Sequence, residues 1–192
     1  MCIMKARLIY LSICGLILAG IIHIIIILLI PSLGSKDAAK QIASKLTSQE
    51  FHYIDDGSKL GISNNDPFLK LSVCKYDLTN SAIEIKGTQT KTFWSASVFD
   101  ERGHVIYSMN DRTAINNQLR MVVVNPIQMA DIRQTQPEEI ESSILVESQG
   151  LKGFVLLRAL VPDLSWNSQS IEFLKQAECI PYNTNIVVNT DS

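Results

Sequence analysis

The sequence predicts a mainly β domain, a β-sandwich-like or strongly bent antiparallel sheet with flanking short helices, behind one N-terminal transmembrane helix. Three observations predict it. Residues Leu8 to Ile30 carry no formal charge and include the run Ile24-Ile25-Ile26-Ile27-Leu28-Leu29-Ile30. From Leu69 onward, short runs alternate apolar and polar residues between Gly, Pro, Asn and Asp turn signals. Two stretches with helical spacing bracket those runs.

The uncharged run comes first. As a helix it spans roughly 34 Å, enough for the hydrocarbon core of a bilayer. Its β-branched residues favour strand in water, but in lipid the backbone must satisfy its own hydrogen bonds, and only the helix does so within one segment. The run exceeds the about 7–15 residues of a signal-peptide core, which favours an uncleaved anchor. Ser32-Leu33-Gly34 is where cleavage would fit. Pro31 is expected to end the helix. Lys5 and Arg7 precede the span and Lys36, Lys40 and Lys45 follow it, so charge alone does not orient it. The very short N-terminal tail favours the amino end inside. Residues 1–7 thus read as a cytoplasmic tail, 8–30 as the transmembrane helix, 31–65 as a juxtamembrane helix and loop, 66–180 as the extracytoplasmic β-rich domain and 181–192 as a C-terminal tail. His23 lies mid-span, where an imidazole either bonds locally or contacts a neighbouring helix.

After the span, Ser35 can cap a helix from Lys36 to about Glu50, with Ala38, Ala39, Ile42, Ala43 and Leu46 on one stripe. Tyr53 to Pro67 reads as loop. Its Asp and Asn residues lack EF-hand spacing, so they read as turn chemistry and not as a calcium site. Strands are expected at Leu69–Cys74, Ala82–Lys86, Thr92–Phe99, His104–Met109, Leu119–Val124, Ser142–Glu147 and Phe154–Val161. Trp94, Ala96 and Val98 share one face of the third, with Phe93 and Phe99 on the other. Asp100-Glu101-Arg102-Gly103 makes the clearest hairpin connection. A short helix is expected over Ile127–Arg133 and a helical turn at Pro137 with Glu138-Glu139. The near-continuous apolar run from Phe154 reads as a central strand buried on both faces. A last helix is expected over Gln169–Ala177, with Ile171, Phe173 and Leu174 inward, and a frayed tail from Asn183.

Charge and cysteine usage narrow the function classes. Lys5 and Arg7 alone among the 17 basic residues precede the span and all 19 acidic residues follow it, so the remainder is mildly acidic. That excludes a basic nucleic-acid surface. Cys74 and Cys179 are the two cysteines of the soluble part; an even pair in an exported domain predicts a disulfide, the alternative being two buried free thiols. With three histidines, one of them in the span, no metal site and no cofactor is expected. Asp100, Arg102 and His104 read as polar turn residues, and an acid–base role for His104 with Asp111 would need contact and a pocket. Arg158 breaks the apolar run Leu156-Leu157-Arg158-Ala159-Leu160, so it calls for a carboxylate or several carbonyls as structural partners, the alternative being an anion-binding role.

Several segments taken together resemble a known group. They are Asp66-Pro67 leading to Cys74-x-Tyr76-Asp77-Leu78, then Phe93-Trp94-Ser95-x-Ser97-Val98-Phe99-Asp100-x-Arg102-Gly103, and Tyr107-Ser108-x-Asn110-Asp111-Arg112-Thr113. Asn125-Pro126-x-Gln128 and Gly153-Phe154-Val155-Leu156-Leu157-Arg158-Ala159-Leu160-Val161-Pro162 complete the set. Their order resembles short single-span bacterial envelope proteins related to the domain-of-unknown-function 1254 family. The resemblance covers roughly residues 66 to 179. It implies a sandwich-like fold in a Gram-negative envelope and implies no reaction.

Three functions are compatible with these readings. The first is a non-catalytic periplasmic module that binds an envelope protein or cell-wall partner, tethered to the inner membrane through residues 8–30. The second is a small-ligand-binding or hydrolytic domain using Asp111, Arg112 and Arg158, which requires those residues to converge. The third is a subunit of a membrane complex that contacts its partners through the helix and His23.

Overall fold

The computed structural model describes residues 2–47, 49–54, 66–137, 140 and 142–182. By compactness the chain divides into two units, Met1–Asp37 and Ala38–Ser192. Helix α1 runs Cys2–Lys45. Within it, Arg7–Ile30 is 24 residues with mean hydropathy 3.1 and none of the segment buried. By length and composition that helix can cross a membrane. The break expected at Pro31 does not occur, since the backbone stays helical through it. Proline removes one amide donor and crowds the carbonyl four residues back, but the turns on either side keep their own bonds.

The second unit is built on nine strands among the described residues, in two sheets. They are β1 (Phe51–Ile54), β2 (Leu69–Asp77), β3 (Ala82–Lys86), β4 (Trp94–Asp100), β5 (Val105–Asn110), β6 (Arg120–Val124), β7 (Ile144–Glu147), β8 (Lys152–Leu160) and β9 (Glu178–Tyr182). The first sheet is antiparallel in the order β1-β2-β8-β4-β5. The second runs β7-β6-β3-β9, and its β6–β7 pair is parallel. The expectation of a purely antiparallel sheet is corrected there. A parallel pair needs a crossover, and α2 (Pro126–Thr135) supplies it between β6 and β7.

Alternation places the core. Tyr76 and Cys74 of β2, Trp94, Ala96 and Val98 of β4, and Val155, Leu157 and Ala159 of β8 meet Ile83, Ile85, Met121 and Val123 of the other sheet in one buried cluster. Helix α3 (Asn167–Gln176) adds Phe173 and Leu174 to it, with the Phe173 ring 6.0 Å from that of Trp94. The bridge Cys74–Cys179 runs through this core with the two Cα atoms 6.5 Å apart, joining β2 of one sheet to β9 of the other.

Each sheet also carries a helix on its outward face. Ala39, Ile42 and Leu46 pack with Ile54, Val73 and Phe154. Met129 and Ile132 of α2 pack with Val122, Val124 and Ile140. The second compact unit thus starts at Ala38: the expected apolar stripe packs on the outward face of the first sheet, and β1 is that sheet's edge strand. Strand β1 takes up Tyr53 and Ile54, which read as loop. Strand β9 follows the last helix and takes in residues assigned to the tail. Residues 55–65, the turn-rich segment, and 183–192, the tail, lie outside the described residues, as do Glu138 and Glu139.

The start of α2 shows how local chemistry fixes the crossover. The Asn125 side chain accepts from the Gln128 amide at 2.9 Å while the Gln128 side chain accepts from the Asn125 amide at 2.9 Å, a reciprocal capping box with Pro126 in the first turn. Both side-chain amides also donate to the Leu78 carbonyl, at 3.2 Å each. Replacing Asn125 with Ala removes the cap and one of those bonds at a buried site, so Asn125→Ala is expected to lose about 2 kcal/mol. Urea unfolding of the two proteins checks this, and equal midpoints would disprove it.

Candidate functional site

Strand β8 sits in the middle of the first sheet, and its side chains alternate. Val155, Leu157 and Ala159 point into the core, so Leu156 and Arg158 stand on the outward face. Arg158 lies opposite Leu71 on β2 and Ser95 on β4. The next row on that face places Leu156 opposite Ser97, and Ser97 opposite Ser108 on β5. The Arg158 Nη1 donates to the Ser97 hydroxyl at 3.2 Å, and the Ser97 and Ser108 hydroxyls are 2.8 Å apart. Ser108 also donates to the Ala96 carbonyl at 3.4 Å. The carboxylate partner expected for Arg158 is not found among the described residues. Desolvation holds the half-buried guanidinium below its ordinary pKa.

Asp111 occupies a different place. Its amide donates to the Trp94 carbonyl at 3.2 Å, which ties it to the start of β4. Its side chain lines a recess of 590 Å³ with Gln89, Thr90, Lys91, Asn117 and Gln169. One oxygen, Oδ1, is buried without a hydrogen-bond partner among the described residues. Asn116 and Asn117 beside the recess both have left-handed backbone, with φ of 55° and 57°. Arg112 is exposed in the turn after β5, its amide donating to Asn110 Oδ1 at 3.1 Å. The three residues therefore do not line one cavity: Arg158 stands on a sheet face, Asp111 in the recess and Arg112 on the turn.

The hairpin polar group is local turn chemistry. Asp100 Oδ1 accepts from the amides of Arg102 and His104, each at 2.8 Å, and Oδ2 pairs with the His104 ring at 3.1 Å. Burial alone would push the Asp100 carboxyl up, but the His104 amide, the His104 ring and the Arg102 amide together hold it below its usual value. His104 and Asp111 sit at opposite ends of β5, about 20 Å apart along an extended strand, so they do not form an acid–base pair. On the inner face, the Tyr76 hydroxyl donates to the Phe99 carbonyl at 2.9 Å. Burial pushes that phenol up to about 12; a hydrogen bond to Ser148 opposes the shift and the charge of Asp100 adds to it. Glu84 is buried beside Lys86 at 2.8 Å and Arg120 at 3.8 Å, an ion-paired group on the other sheet.

Sequence reasoning singled out Arg158 but missed Ser95, Ser97 and Ser108. The available signal was the alternation Trp94-Ser95-Ala96-Ser97-Val98, which puts two hydroxyls on the face opposite the core.

No family model matches this chain, and no curated protein matches it either. By fold it is similar to the VPA0106 protein of Vibrio parahaemolyticus, with TM-score 0.56 and 11% identity, over 77% of this chain and 35% of that one. An uncharacterized protein from Burkholderia cenocepacia aligns with TM-score 0.47 and 8% identity, over 84% of this chain and 43% of that one. This chain thus spans less than half the length of either structure. At these identities the first likeness concerns the fold alone.

Proposed function

We propose that the chain is a single-pass, membrane-tethered binding module without catalytic activity. In this reading residues 8–30 cross a bacterial inner membrane with the N-terminus in the cytoplasm. The domain from Ala38 onward then works in the periplasm on an envelope partner. The observation that carries the reading is the Cys74–Cys179 bridge between the two sheets, because such a bridge forms and persists on the oxidising side of a membrane. The uncharged helix with none of its Arg7–Ile30 segment buried supports the tether. The order of motifs that resembles the domain-of-unknown-function 1254 family supports the envelope.

The test is the redox state of the chain in living cells. Cells are quenched in acid, free thiols are alkylated under denaturing conditions, and bridges are then reduced and tagged with a maleimide polymer. Both Cys74 and Cys179 are expected to take the tag, and Cys14, a free thiol, is expected to be alkylated in the first step. Alkylation of Cys74 and Cys179 before reduction would place the domain in a reducing compartment and end this reading.

A further inference from the structure

We propose that the outward face of the five-stranded sheet binds a small oxyanion, a carboxylate or phosphate group, between Arg158 on β8 and the hydroxyls of Ser95, Ser97 and Ser108 on β4 and β5. The proposal rests on the binding-module reading and names the chemistry of one of its ligands.

The register brings these groups together. Ser95 lies directly opposite Arg158, and the Ser97–Ser108 pair lies one row on across the same strands. All four side chains leave the sheet on the same side, and neighbouring strands are about 4.8 Å apart. A guanidinium offers five N–H donors in a planar fork that matches a carboxylate or phosphate. Here a single neutral contact is recorded, Nη1 to Ser97, and no carboxylate balances the charge among the described residues. Ser95, half-exposed directly opposite Arg158, adds a donor that an oxyanion accepts. The Ser97 and Ser108 hydroxyls are bonded to one another and to the Ala96 carbonyl, and Ser97 is only 3% exposed, so these two would have to turn from those bonds to donate.

The surroundings make an uncompensated cation a poor structural choice. Leu71 stands opposite Arg158, and Leu156 is its neighbour on the same face of β8. A partly desolvated charge without a partner is less stable there than an apolar side chain of similar size. Neither Arg112 nor Asp111 belongs to this face, so the site differs from the one expected from sequence. Part of the face is held by α1, where Ile42 and Leu46 pack with Val73 and Phe154. Ser108, on the far side at β5, is exposed.

The experiment uses the full chain in uncharged detergent micelles. Inorganic phosphate and acetate are titrated in separate arms, with ionic strength held constant by sodium chloride. A third arm mixes an anionic phospholipid into the micelles, which separates a headgroup phosphate from a free one. Two signals are followed: the side-chain Nε–Hε resonance of Arg158 and the melting temperature. In at least one arm the resonance is expected to move and saturate while the melting temperature rises. Arg158→Met is expected to weaken that response about tenfold or more, whereas Arg112→Met, at an exposed turn, keeps it. No saturable change in any arm, or an equal response from Arg158→Met, overturns the proposal. Should Arg158→Met fail to fold, the wild-type Arg158 resonance decides alone. The thiol-trapping experiment can fail without affecting this titration, which is done on purified protein, and the reverse also holds.

Discussion

Reduction of the Cys74–Cys179 bridge is expected to lower the stability of the domain by about 4 kcal/mol, a large share of what a domain of this size has. The two residues are 105 positions apart in sequence, so the bridge removes a long closed loop's worth of freedom from the unfolded chain. In the folded chain it lies inside the core, with Cys74 at 0% and Cys179 at 2% exposure. Each half belongs to a different sheet, and among the described residues β9 meets its own sheet only along β3. Loss of the bridge should therefore release β9 first. Urea unfolding of the chain in micelles, with and without reductant, measures the effect. The double variant Cys74→Ala with Cys179→Ala should lose at least as much, since two core side chains are also truncated. Equal midpoints with and without reductant would show that packing alone holds the two sheets together.

The strands that could be read from sequence mostly alternate apolar core residues with polar ones or run apolar throughout, whether or not their second face is wet; β3 and β6 are buried along most of their length. Trp94, Ala96 and Val98 face the core while Ser95 and Ser97 face outward, and that alternation is visible in the sequence. Strand β8 was legible for another reason: its outward face is partly covered too, by α1, so its run is almost continuously apolar and it sits centrally. The two strands that were missed are both edges. Strand β1 has four residues, too few to show a period. Strand β9 contains Pro181, which usually argues against a strand and is tolerated at the edge beside β3. Pro31 shows the same limit of local signals: proline usually stops a helix, and here α1 continues through it.

The candidate site was less legible, because strand register made it. Arg158 was conspicuous as a charge in an apolar run. Its companions lie 50 to 63 positions earlier and are ordinary serines on the outward face of two other strands, Ser97 nearly buried and Ser108 exposed. No spacing within the sequence marks them as neighbours. They meet because β8 pairs with β4 and β4 with β5, and a slip of one residue in either pairing would turn the hydroxyls inward. Asp111 and Arg112 were prominent because turns concentrate polar residues, and Arg112 indeed belongs to a turn closed by Asn110.

Replacing Gly153 with Ala is expected to destabilise the domain by about 3 kcal/mol. Gly153 lies on β8 opposite Tyr76 of β2 and Asp100 of β4. An added Cβ there would overlap the Phe99 carbonyl oxygen and the Tyr76 hydroxyl and its ring carbon. The Phe99 oxygen is backbone, held within β4 beside the register shift between Val98 and Phe99, so it cannot swing aside. Tyr76 is fully buried and its hydroxyl donates to that same oxygen. Moving the ring would break this bond and open space in the core, and leaving it in place would force the two strands apart. Gly150, three residues earlier, is the control: an added Cβ would meet its nearest neighbour, the Lys152 carbonyl, at an ordinary 3.8 Å. Thermal melts of Gly153→Ala and Gly150→Ala side by side should show a large loss for the first and little change for the second. Similar melting temperatures for both would mean that the close packing of Tyr76 over β8 is not what the glycine is there to permit.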